Sequence, residues 1–121
     1  MPGGGELHVL VTHLSVGNVS RRRQLVAMAA ELAATPPPAV LLADLNEWNG
    51  WARGLAGLGR AATLLRSPPS FPSRRPMLRL DRIAVRSCIA SREAWVHRSA
   101  LAALASDHLP VLAELAASRD S

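Results

Sequence analysis

Ala39 to Asn46 reads AVLLADLN, an apolar run whose polar residues appear only at its end. Directly after TPPP, so short a run reads as a buried β-strand rather than a helix, which would need more length. In open α/β sheets the mouth of such a strand is where ligands and chemistry sit. Asp44 and Asn46 are therefore the first candidate functional residues. Their alternative is an Asx-turn that simply closes the strand.

Working upstream, SRRRQLVAMAAELAA carries Leu25, Met28, Ala29 and Leu32 at helical spacing, with Ser20 as the expected N-cap. Arg21, Arg22 and Arg23 then fall in the first turn, where the helix dipole disfavours cations by about a few tenths of a kcal/mol. Earlier still, LHVLVTHL (Leu7 to Leu14) is β-branched and apolar on both faces, as a strand covered on both sides should be. His8 and His13 are an odd number of residues apart and point to opposite faces, so they cannot share a metal from this strand.

Downstream, EWNGWARGLAGLG is a helix or loop pair. SPPSFPSRRP is expected to be a surface loop, because its prolines withhold ladder donors. LRLDRIAV, a weaker SREAWVHR and LPVLAEL are the remaining strand candidates. With no internal repeat and no linker, residues 1–121 are expected to form a single α/β layered domain.

The 121 residues carry a net charge of +5, a pI near 11.4 and 49% hydrophobic residues, with a mean hydropathy of +0.13. All 14 basic residues are arginine. Guanidinium forks match phosphate oxygens, which suits a phosphate-bearing partner, but arginine- and alanine-rich coding produces the same balance. Both readings stay open. Tyrosine is absent and Phe71 is the single phenylalanine, which argues against a stacking platform for single strands. Cys88 is alone, excluding an intrachain disulfide and a cysteine cage. No apolar stretch reaches the roughly 18 residues of a membrane span, and MPGGGELH lacks a secretory pattern, so a cytoplasmic protein is expected.

Four polar points interrupt or end the apolar strands: His13, the pair Asp44 and Asn46, Asp81, and the pair Asp107 and His108. Each has a bland explanation: a strand-end histidine, a turn, or an ion pair of Asp81 with Arg79 or Arg82. A Ser106–Asp107–His108 triad is rejected, since consecutive residues in extended chain alternate sides and no G-x-S-x-G elbow is present. Neither H-E-x-x-H nor a G-x-x-x-x-G-K-[ST] loop occurs.

In order, VTHL, Arg21 with Gln24, LLADLN, SFPS followed by RLDRI, and SDHLPV resemble the endonuclease/exonuclease/phosphatase superfamily of DNase I-like metal-dependent phosphoesterases. The resemblance runs from about Leu7 to Leu115. It implies the C-terminal half of a four-layer α/β/β/α sandwich, with an active site at one end. It further implies a Mg²⁺ (or Mn²⁺) ion neutralising a phosphate ester while water attacks in line.

By motif, His108 would contact the scissile phosphate and transfer a proton, and Asp81 would accept the other ring N–H of His108. Asp44 would orient or deprotonate the water, Asn46 would donate to a phosphoryl oxygen, His13 would touch phosphate, and Asp107 would lie on or beside the metal. Arg74, Arg75 and Arg79 are candidate substrate-phosphate contacts, with solvated surface arginines as the alternative.

Two departures stand out. Ala43 replaces the family's usual glycine. The half that normally supplies a first sheet and the principal metal-binding glutamate would precede Met1; Glu6 is in the wrong place for it, and Glu47 is expected to be helix-start capping. A half sandwich would expose one strand face and an unpaired edge. It would be a fragment, a homodimer that rebuilds the missing layer, or a relative without catalysis, and as an isolated half it could be inactive. The implied substrate is a phosphodiester, from nucleic acid or a phospholipid headgroup. The competing function is a non-catalytic, arginine-rich module for nucleic acid or anionic lipid.

Overall fold

A computed structural model describes residues 6–14, 17–45, 58–90 and 93–117. Strand β1 (His8–His13), helix α1 (Asn18–Ala34) and strand β2 (Ala39–Asp44) form a β–α–β unit in which β1 and β2 run parallel. Parallel neighbours need a long crossover, and α1 supplies it. After the helical residues 58–61 come β3 (Thr63–Leu64) and β4 (Asp81–Arg86), both antiparallel to their neighbours. The sheet order is β1-β2-β4-β3.

Two small sheets follow. One pairs β5 (Cys88–Ala90) with β8 (Leu115–Ala117), and the other pairs β6 (Trp95–Val96) with β7 (Val111–Leu112). A short helix, α2 (Ala100–Ala105), precedes β7; the Ser99 side chain accepts from the Ala102 N–H and caps it. Ser87, at φ 56°, takes the left-handed conformation where the chain leaves β4 for β5.

The core lies on both faces of the four-stranded sheet. On the outer face, Leu25, Met28, Ala29 and Leu32 of α1 meet Leu10, Leu41 and Ala84, so the helical stripe expected from sequence is the one that packs. Leu25 and Leu32 are fully buried, each worth about 1.5–3 kcal/mol of transfer free energy. On the inner face, Val40, Ile83 and Val85 are covered by Ala94, Val111, Ala113 and Leu115.

Three local expectations are corrected. Helix α1 starts at Asn18 with Gly17 at the N-cap and no side-chain cap, so Ser20 lies inside the helix. Arg21 to Arg23 consequently begin at the fourth helical position, past the turn where the dipole penalty is strongest. Strand β1 is not covered on both sides: it is an edge strand, with Val9 51% and Val11 75% exposed. The small sheets reach only the β2–β4 part of the inner face, leaving Val9, Val11 and part of Leu42 open. Among the described residues, β1 thus has an open edge and a partly uncovered inner face. Finally, SPPSFPSRRP is not a simple surface loop, because Ser67, Ser70 and Ser73 are all buried.

The carboxyl end of α1 is held from the sheet. Arg86 Nη1 donates to the carbonyls of Leu32 (2.6 Å), Ala33 (3.1 Å) and Thr35 (2.7 Å), placing a cation at the negative end of the helix dipole. Arg86→Met retains the aliphatic stem but strands these carbonyls. The expected loss is about 1.5–3 kcal/mol, read as a lower urea midpoint at unchanged slope.

Candidate active site

Three strand ends lie abreast. His13 ends β1, Asp44 ends β2 and Asp81 opens β4; the register pairs His13 with Asp44 and Asp44 with Asp81. Directly opposed residues share a face, so all three stand at one end of the inner face. His108 reaches the same point from the segment between α2 and β7. Its ring Nδ1 lies 2.6 Å from Asp81 Oδ2, and its Nε2 lies 3.6 Å from Asp44 Oδ2. His13 Nε2 is 3.4 Å from the same Asp44 oxygen, with its side chain largely exposed.

Loop contacts fix this approach. The Leu109 N–H donates to the Ser70 carbonyl (2.8 Å) and the Ser73 N–H to the Asp107 carbonyl (2.7 Å), tying the proline-rich loop to the SDH segment. The Phe71 ring packs on His108 with centroids 4.8 Å apart and planes tilted by 47°. Ser70, fully buried, donates its hydroxyl to Asp81 Oδ2 at 2.6 Å. An ionised carboxylate only accepts, so Nδ1 of His108 carries the hydrogen and Nε2 is the nitrogen turned toward Asp44.

Burial acts to lower the pKa of His108. The hydrogen bond to Asp81 and the negative charges of Asp81, Asp44 and Asp107 together outweigh it, and the pKa is raised above the ordinary histidine value. Stabilisation from the charged ring is therefore complete below the unfolded-state value and is lost as pH rises through the folded one. In chelator-treated protein, the NMR titration of His108 should fall above the usual histidine midpoint, and Asp81→Asn should bring it down. His108→Asn should cost more stability at pH 5 than at pH 8.

The donor atoms of Asp44, Asp81 and His108 lie within 4.8 Å of one another, the group among the described residues able to hold a metal ion. The two carboxylates fit Mg²⁺ or Mn²⁺, hard cations that take oxygen ligands, and Mg²⁺ commonly takes only one or two protein carboxylates; His108, held by Asp81 and favoured in its charged form, stands beside such an ion rather than on it.

Of the residues singled out by sequence, His13, Asp44, Asp81 and His108 come together. Asp107, expected on or beside the metal, is exposed and outside that group; it lines a separate hollow with Pro72, Ser73 and Arg74. As the neighbour of His108 in the chain it faces elsewhere, although its charge still acts on that ring. Arg74 and Arg75 are exposed, and neither lines the cavity of about 470 Å³ bounded by Asp44, Asp81 and His108. Arg79 donates Nε–H to the Ser67 carbonyl at 2.8 Å and also stands away from that cavity. Asn46 and Glu47 lie outside the described residues. Ser70 was missed by sequence reasoning; the available signal is serine at every third position, 67, 70 and 73, among prolines.

The described architecture is mixed α/β and superposes on about half of several solved structures. An endonuclease/exonuclease/phosphatase family protein from Bacteroides thetaiotaomicron superposes with a TM-score of 0.57 at 18% identity, over 85% of this chain and 48% of that one. A mannosyl-6-phosphatase of the same species gives a TM-score of 0.59 at 22% identity, over 86% and 49%. A functionally unknown conserved protein from Enterococcus faecalis V583 gives 0.71 at 19%, over 91% and 50%. In sequence, the uncharacterized protein YbhP of Escherichia coli K12 is 32% identical over a 126-residue alignment covering 93% of this chain and 47% of that protein. No family model matches the chain. The chain spans about half the length of the relatives and structures it matches.

Proposed function

We propose that the chain carries the histidine–aspartate part of a divalent-metal-dependent phosphoesterase of the endonuclease/exonuclease/phosphatase kind, hydrolysing a phosphate ester by in-line attack of water. The observation that carries this reading is the convergence of Asp44, Asp81 and His108, from segments far apart in the chain, within 4.8 Å at one end of the sheet. Asp81, steadied by Ser70, orients His108 and favours its charged form. Nε2 of His108 then faces the phosphoryl group, where it donates a hydrogen bond as negative charge builds and moves a proton. Asp44 orients the attacking water or accepts its proton. His13, on the exposed rim, contacts phosphate oxygen. Bound Mg²⁺ or Mn²⁺, held by the Asp44 and Asp81 carboxylates, would neutralise charge on the ester.

Hydrolysis of bis(p-nitrophenyl) phosphate tests the reading. Activity should vanish with EDTA, return with Mg²⁺ or Mn²⁺, and be lost in Asp44→Asn. Turnover that ignores both chelator and Asp44→Asn would rule out this site as its source.

A further inference from the structure

A second cavity, of about 510 Å³, lies on the other side of Arg82 from the candidate active site and is lined by Arg66, Ser67, Pro68, Pro69, Arg79, Arg82 and Glu93. Arg82 borders both cavities. Three guanidinium groups face a single carboxylate here. Among the described residues that carboxylate, Glu93, meets only Arg66, at 3.6 Å between two exposed side chains, a weak, solvent-screened contact. Among the described residues, neither Arg79 nor Arg82 has a carboxylate within ion-pair distance.

Two polar atoms in this wall are buried without a hydrogen-bond partner: the hydroxyl oxygen of Ser67, a residue only 7% exposed, and Nε of Arg82. Such atoms are costly unless something satisfies them. Arg82 has one further contact, Nη2 to the Leu65 carbonyl at 3.3 Å. Arg79 is pinned by its Nε–H bond to the Ser67 carbonyl at 2.8 Å, which keeps its positive charge near Arg82. Burial, and then the Arg79 charge, hold Arg82 below the ordinary arginine range. Two cations held close together with a single carboxylate beside them are what an oxyanion in the cavity would relieve.

We infer that this cavity is a binding site for the phosphate group of a small phosphorylated ligand, built from Arg66, Arg79 and Arg82 and separate from the Asp44–Asp81–His108 cluster. Arginine forks match phosphate oxygens. The volume lies within the range of small-molecule pockets, about 300–1,000 Å³, and exceeds the needs of a bare anion. The two prolines offer apolar ring faces to the remainder of such a ligand. The inference does not rest on the proposed hydrolysis.

The test is titration of the full chain, in EDTA and at constant ionic strength, with inorganic phosphate and with ribose 5-phosphate. Calorimetry gives the affinity, and NMR follows the arginine Nε–H signals. Both ligands should saturate and shift the signals of Arg79 and Arg82, with ribose 5-phosphate binding at least as tightly as inorganic phosphate. Arg66→Gln and Arg79→Gln, on exposed side chains, should each weaken binding about tenfold or more. His108→Ala should leave it unchanged. Equal shifts with chloride, unaltered affinity in both arginine variants, exclusion of ribose 5-phosphate, or loss of binding in His108→Ala would each overturn the assignment.

Discussion

His108→Ala is expected to lower kcat for metal-dependent hydrolysis of bis(p-nitrophenyl) phosphate by about 10²- to 10⁴-fold, the usual worth of a positioned proton donor or acceptor. KM should change little, because the ring's value lies in the charge that builds in the transition state rather than in ground-state binding. The expectation follows from position. Nδ1 is spoken for by Asp81 at 2.6 Å, so the whole function of the ring falls on Nε2, which faces Asp44 across 3.6 Å. Asp107→Asn is the matched control: it changes the charge one residue away, on an exposed side chain outside the cluster, and should cost far less. Equal losses in the two variants, in steady-state assays of folded protein, would mean that the SDH segment acts through its overall charge and not through His108.

Leu41→Ala is expected to destabilise the chain by about 2–5 kcal/mol, the range for truncating a fully buried leucine. Leu41 is 1% exposed, in the middle of β2, beside Ala84 of β4 and in one buried cluster with Leu25 and Leu32 of α1. It lies three residues from Asp44 on the strand that carries the candidate site. Small domains have only about 5–15 kcal/mol of stability in total, so a loss of this size lowers the folded population visibly on heating. Thermal unfolding by circular dichroism measures it. An unchanged midpoint would show that the helix does not depend on this contact with the sheet.

How far the sequence foretold the molecule varies with the physics involved. β2 and the stripe of α1 were legible because burial imposes a period on the residues, and the same residues form the core. The end of β2 also announced Asp44, since a carboxylate closing an apolar run is costly unless something partners it. His108 and Asp81 were placed by their motifs; nothing in their spacing shows that they meet, because pairing across 27 residues depends on where loops return. Ser70 shows the same limit more sharply. Proline-rich chain reads as exposed, yet its serine is fully buried against Asp81. The edge position of β1 was illegible in LHVLVTHL itself, which has the composition of a doubly covered strand. We propose that residues 1–121 form one half of a larger sandwich, a reading supported by the half-length matches to the relatives and by the open Val9–Val11 face.

The central claim is that Asp44, Asp81 and His108 act as one site for a divalent ion and a phosphate ester. Mn²⁺ titration of the labelled, folded chain tests it without requiring turnover, since the paramagnetic ion broadens NMR signals near its binding position. The account predicts that the resonances of Asp44, Asp81 and His108 broaden first, that Mg²⁺ reverses the effect, and that Asp44→Asn abolishes it. Broadening centred on Asp107 or on other acidic residues, with Asp44 and His108 untouched, would contradict it.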